Sequence, residues 1–274
     1  MSLANLLAVI EAQPKMPNFV ATAVGLAATH RAFLAVLYVA PPIRLPGVAQ
    51  AYLGTDILAA QERAAAEVRD SIRQDVERLA AAEGLSFEWR EATGDAYDVA
   101  ALHARYADLT VLGQTPPEGP EGRFILELPE HLVFTSGRPV IVVPYVGAYP
   151  TLGERVLIAW NASREAARAV NDAMPILERA SSVTIIGVNP PDQETIPGTD
   201  IATHLARHGV EAEVTVTHAE DISAGDMLLS RAADFAADLI VLGAYGHSRT
   251  REWAMGGVTR HLLDHMTVPV FMSH

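Results

Sequence analysis

Four glycines carry the clearest chemical meaning in this chain: Gly243-x-x-Gly246, then nine residues, then Gly256-Gly257. Ahead of them, Leu239-Ile240-Val241-Leu242 is a continuous apolar run, the pattern of a strand buried on both faces of a parallel sheet. Behind them, Val258, Leu262, Leu263 and Met266 recur at helical spacing, so the second glycine pair opens a helix. Val268 to Met272 then reads as a short strand. Strand, glycine loop and helix N-terminus together suit an anion. Glycine lets the main chain approach closely, and a first helical turn leaves unpaired N–H groups aimed at negative charge. His247, Arg249 and Arg251 lie in the loop, with Arg260 one turn into the helix, against a single acid, Glu252. Arginine donates in pairs to phosphate oxygens. The residues leave a second reading open at each point. The glycines also serve a tight turn with close helix–strand packing, and Arg249 or Arg251 also pairs with Glu252 on a solvated loop. Trp253 either covers a base or packs against a neighbouring domain.

The glycine spacing resembles the nucleotide-binding signature of the universal stress protein family, in which two glycines three positions apart are followed, nine residues on, by Gly and then Ser or Thr. Gly257 stands where that pattern prefers the hydroxyl residue, which keeps the backbone donor and drops the side-chain one. The resemblance implies that Gly243, Gly246, Gly256, Gly257, Val258 and Thr259 wrap the phosphates and ribose of ATP or another adenine nucleotide. Arg249 would add charge there. It places Asn161, closing the first strand of the second half, where family members carry an Asp beside the adenine. Val188, closing the next strand, falls at the position that packs on the base. The implied role is that of a cytoplasmic stress-response protein, regulatory rather than catalytic. A ligand-free interaction scaffold and a slow nucleotide hydrolase are the alternatives.

Other constellations are weaker. His261 and His265 stand at i, i+4 spacing, which a metal ion bridges in some helices, but no third ligand accompanies them and Asp264 is the nearest acid in sequence. Ser163 has no nucleophile-elbow glycines around it. No Walker-type lysine or metal-binding carboxylate pair accompanies the glycine loop, which argues against fast phosphoryl transfer. The mixed charges of Gln61 to Glu83 describe a solvated helix face.

Composition narrows the classes further. The net charge of -13 opposes non-specific nucleic-acid binding, so any phosphate site is built locally against the overall field. There are 0 cysteines, which removes disulfides and thiol chemistry. The opening MSLANLLAVIEAQ lacks a basic leader, and no apolar run reaches the roughly 20 residues that span a bilayer, so a cytoplasmic protein without membrane contact is the expectation.

The chain also repeats itself. Ala107-Asp108-Leu109-Thr110-Val111-Leu112-Gly113 matches Ala237-Asp238-Leu239-Ile240-Val241-Leu242-Gly243, and the strand begun by Pro139 matches the one begun by Pro269, both at an offset of 130. An equal offset at both ends marks a tandem duplication with a period too long for a solenoid. Each half alternates strand and helix. The expected fold is therefore α/β, two tandem doubly wound, mostly parallel five-stranded sheets, and the resemblance adds that these are adenine nucleotide alpha hydrolase-like. The expected domains are 1–148 and 152–274. In the first, Pro116, Leu126 and Glu127 replace Gly246, Gly256 and Gly257, with Glu118 and Glu121 nearby, so the nucleotide belongs to the second half only. The proline-begun strands read as sheet edges that pair with each other, giving an intramolecular pseudo-dimer. A homodimer of whole chains stays open.

Overall fold

The computed structural model describes residues 2–11, 17–40, 55–115, 128–189, 198–218, 221–244 and 257–274. The first half runs β1 (Asn5–Glu11), α1 (Phe19–His30), β2 (Phe33–Ala40), α2 (Thr55–Ala82), β3 (Phe87–Thr93), α3 (Ala96–Ala104), β4 (Leu109–Gly113), α4 (Leu128–Thr135) and β5 (Val140–Val143). The second runs β6 (Arg155–Ala159), α5 (Arg164–Leu177), β7 (Ser182–Val188), α6 (Thr199–Arg207), β8 (Glu213–Thr217), α7 (Ala224–Asp234), β9 (Leu239–Gly243), α8 (Gly257–His265) and β10 (Val270–Ser273). The largest departure from the sequence expectation is α2, which starts at Thr55 rather than Gln61, because the alanines and leucine ahead of Gln61 carry the helix back. Gly84 follows its end at φ 62, the left-handed conformation of a C-terminal cap.

All ten strands form one sheet in the order β3-β2-β1-β4-β5-β10-β9-β6-β7-β8. Pairing is parallel within each half and antiparallel across the joint, where Val140, Ile141 and Val142 face Met272, Phe271 and Val270. The two proline-begun strands are thus the edges of their own halves and pair with each other. Pro139 and Pro269 sit just outside the ladder and use only their carbonyls, which accept from Thr110 N (3.2 Å) and Ile240 N (2.9 Å). The missing proline N–H is never asked for.

Strand residues alternate between two apolar layers. Ile141, Val241 and Phe271 join α1, α2, α5 and α6 on one face, while Val142, Ile240 and Met272 join α3, α4, α7 and α8 on the other. Burial on both faces is why these strands read as unbroken apolar runs. The repeated aspartates have one structural task. Asp108 Oδ2 accepts from Ala4 N and Asn5 N, each 2.9 Å, and Asp238 accepts from Glu154 N (3.0 Å) and Arg155 N (2.9 Å). Each carboxylate fixes the start of the first strand of its half.

Candidate functional site

In each half the chain winds outward from its first strand, then crosses back to the far side of it. The order reverses between β1 and β4 in the first half and between β6 and β9 in the second. A crevice at the carboxyl ends of the strands follows, the place where doubly wound sheets hold ligands. Because β5 and β10 are antiparallel, the two crevices open at opposite ends of the sheet. Asn161 follows β6, Val188 ends β7 and Gly243 ends β9, so these three expected residues border the second crevice.

Gly243 is bare for a packing reason. A Cβ there would stand 2.3 Å from Ala166 N and 2.4 Å from Glu165 C, which is main chain of the first turn of α5. Gly257 is the opposite case. It begins α8, is exposed, and among the described residues a Cβ would meet nothing within 4 Å. Val258 is half-buried against the α7/α8 layer and Thr259 is buried. Gly246, Arg249 and Gly256, with His247, Arg251, Glu252 and Trp253, lie outside the described residues. So do Pro116, Glu118, Glu121, Leu126 and Glu127 of the first half.

Asn161 Oδ1 accepts from Ser163 N at 3.1 Å, Ala162 adopts φ 58, and Ser163 Oγ accepts from Ala166 N at 3.1 Å as the N-cap of α5. The turn therefore uses the side-chain oxygen of the exposed Asn161 locally. Glu165 is buried beside it and bonded to the Arg164 guanidinium. Burial pushes its carboxyl up, but the Arg164 guanidinium, its own backbone N–H and the Ser163 hydroxyl outweigh that and hold it below the ordinary value. Sequence reasoning passed over Glu165, and the cap pattern begun by Ser163 was the signal for it.

Among the described residues no group of three or more His, Cys, Asp or Glu is placed to hold an ion. His261 and His265 stack at 4.3 Å, and the partner of His261 is Asp226 of α7 at 2.8 Å rather than Asp264. A bare Gly225 makes room, since a Cβ there would stand 2.5 Å from the His261 ring. Asp226 is at the third position of α7, whose cap is Ser223: Ser223 Oγ accepts from Asp226 N at 3.0 Å and donates to its carboxylate at 2.7 Å. Asp95 of the first half has a different role from Asp226, because it is itself the cap of α3. Hydrogen bonds from Ser223 first, then from His261, hold the Asp226 carboxyl below its ordinary range.

A cavity of about 590 Å³ at the ends of β1 and β4 is bordered by Glu11, Asn18, Phe19, Gly113, Gln114 and Leu128 among others. What lies nearest to Gly113 is not main chain but the Phe19 ring, at 2.9 Å from an added Cβ. Gln114 spans the joint: its Nε2 donates to Leu263 O (2.7 Å) and Asp264 O (3.3 Å) in the last turn of α8, and its Oε1 accepts from Tyr145 N at 3.3 Å. One half thereby supplies donors to orphan carbonyls of the other half's helix.

Comparison with known proteins bears on this architecture. Among curated proteins none matches the chain. A universal stress protein from Archaeoglobus fulgidus DSM 4304 superposes with a TM-score of 0.73 at 16% identity, covering 97% of this chain and 95% of that one. A functionally unknown protein from Pseudomonas aeruginosa PAO1 does so at 0.59 and 17%, covering 99% and 92%. The cytoplasmic domain of a prokaryotic cation chloride cotransporter reaches 0.51 at 13%, covering 98% and 95%. At these identities the likeness is one of fold, a mostly parallel α/β sheet. The profile of the universal stress protein family matches residues 4–144 and again 153–274. With that profile twice in succession and a sheet built from two matching halves, the chain belongs to the universal stress protein family in its tandem form.

Proposed function

We propose that the chain is a stress-response protein that binds an adenine nucleotide, ATP or a close analogue, in the crevice of its second half, and that it acts by sensing this ligand rather than by catalysis. The observation that carries the reading is the start of α8. Gly257 is exposed at a helix N-terminus, no described residue would lie within 4 Å of a Cβ on it, and in sequence it follows the glycine-rich stretch that leaves β9 at the β6/β9 reversal. Asn161 and Val188 border the same crevice and would meet the base. Gly243, Gly246, Gly256, Val258, Thr259 and Arg249 would surround the phosphates. We divide the units at 1–148 and 152–274, and place the protein in the cytoplasm; among the described residues no helix is long and apolar enough to cross a membrane.

Calorimetry with ATP tests this on the wild type and on Gly246→Pro plus Gly256→Glu. The wild type should release binding heat and gain about 2.7 kcal/mol of stability at 100 times the dissociation constant. The double variant should lose both while keeping its ligand-free urea midpoint. Gly257→Ser restores the family's hydroxyl and should tighten ATP about fivefold, the worth of one net hydrogen bond. Equal heats in wild type and double variant would sink the assignment. The competing scaffold reading has one observation in its favour, namely that packing alone accounts for Gly243.

A further inference from the structure

We propose that His204 and His208, one turn apart at the end of α6, form a bidentate site for a divalent transition-metal ion of the kind imidazole favours, Cu(II) ahead of Ni(II) or Zn(II). The chain has 10 histidines, and two pairs of them stand at i, i+4 spacing: His204 with His208, and His261 with His265. On a helix that spacing puts both side chains on one face. Ring geometry separates the two pairs.

An ion held about 2.0–2.1 Å from one nitrogen of each ring, with its arms at a square or tetrahedral angle, sets the ring centres about 4.5–5.2 Å apart. Imidazole lone pairs lie in the ring planes, so the planes must also cross. His204 and His208 meet both conditions, with centres 4.8 Å apart and planes inclined at 56°. His261 and His265 are closer, at 4.3 Å, and within 23° of parallel, which keeps their lone pairs side by side. Their nitrogens are also engaged, His261 Nε2 with Asp226 and His265 Nδ1 with His261 O.

Both rings of the α6 pair are exposed, and among the described residues no hydrogen bond or ion pair occupies their nitrogens. The helix beneath them is fixed. Ile201 and Leu205 are buried in the core layer, and His208 N donates to Leu205 O at 2.9 Å, so the last turn is closed. Binding an ion therefore orders two side chains and no backbone. Two imidazoles fill two coordination positions, and water completes the set. Asp200, exposed one further turn back on the same face, adds negative charge opposite in sign to Arg207, and the net charge of -13 favours a cation over the whole surface. The pair chelates only while α6 is helical, so an ion bound there stabilises the fold.

Titration of the untagged full chain with Cu(II), Ni(II), Zn(II) and Mg(II), in buffer free of nucleotide and chelator, tests the assignment. Calorimetry and thermal unfolding report affinity, and Cu(II) broadening of backbone amide resonances reports the place. Cu(II) should bind ahead of Ni(II) and Zn(II), and Mg(II), which takes oxygen ligands, should not bind. The first equivalent of Cu(II) should broaden the amides of residues 204–209 before any others. His204→Gln and His208→Gln, both at exposed positions, should keep the metal-free melting temperature. Each should weaken the first equivalent about a hundredfold and abolish the thermal gain, because a chelate loses most of its affinity with either arm. The proposal is overturned if either variant binds as the wild type does, if the first equivalent broadens His261 and His265 instead, or if no transition-metal ion raises the melting temperature. ATP titration of the same variants should match the wild type, so the nucleotide reading stands or falls separately.

Discussion

Thr110 has a hydroxyl that is fully buried and finds no hydrogen-bond partner among the described residues, whereas its repeat equivalent is Ile240. An unmet buried hydroxyl costs about 1–3 kcal/mol. Thr110→Val, nearly the same shape without the oxygen, should therefore raise the urea-derived stability by about 1 kcal/mol. The two glycines bordering the second crevice should part company in the same assay. Gly243→Ala drives a Cβ into helix main chain and should cost about 1–3 kcal/mol, because backbone yields less readily than a side chain. Gly257→Ser meets no described residue within 4 Å and should stay within about 0.5 kcal/mol of the wild type. If Gly243→Ala were neutral, the close approach of α5 to β9 would be wrong.

Among the elements, the starts of β1 and β6 hang on single carboxylates. Asp238→Ala removes two hydrogen bonds to the main chain at Glu154 and Arg155, and should cost about 1–2 kcal/mol given that both bonds are solvent-exposed. Asp238→Asn, which keeps one acceptor, should recover part of that loss. Strands of this kind were legible in the sequence because burial on both faces leaves runs such as Leu239 to Leu242 with nothing but apolar residues. The edge pairing was legible too, since Pro139 and Pro269 each forbid a ladder donor at one place only. What the glycines do was not legible. Gly113 and Gly243 are identical letters at identical offsets, yet one faces a phenyl ring and the other a helix backbone, and only the packed structure distinguishes them. The same limit applies to His261. Its nearest acid in sequence is Asp264, whereas its partner Asp226 is 35 positions away on another helix. The cavity of the first half was hidden for the same reason, as it depends on where Phe19 points.

Across the whole molecule, α8 reaches from one crevice to the other. Its first residue, Gly257, opens on the second, and its last turn is held by Gln114 in the wall of the first. The joint also contains a titrating group. Burial, and then the Arg179 guanidinium from the other half, lowers the pKa of His30; burial and then Arg90 lower that of His103. Each is therefore kept neutral in the folded chain at pH values where the unfolded chain, titrating near the ordinary value of about 6.5, already takes up protons. Stability is full above that value and should fall as pH drops from about 6.5 toward the depressed values. His30→Gln should flatten the fall, which urea midpoints measured across that window would register. A midpoint that rose on mild acidification would contradict the assignment.

The antiparallel seam between β5 and β10 has a consequence for synthesis. Val140 to Val143 leave the ribosome about 130 residues before the strand that will cover them, so a nascent first half waits with a bare, wholly apolar border of hydrogen-bonding groups. During that wait a neighbouring nascent chain can donate its own last strand instead, producing an exchanged pair of molecules. Crowded polysomes and shortage of chaperones are where such exchanged forms should accumulate.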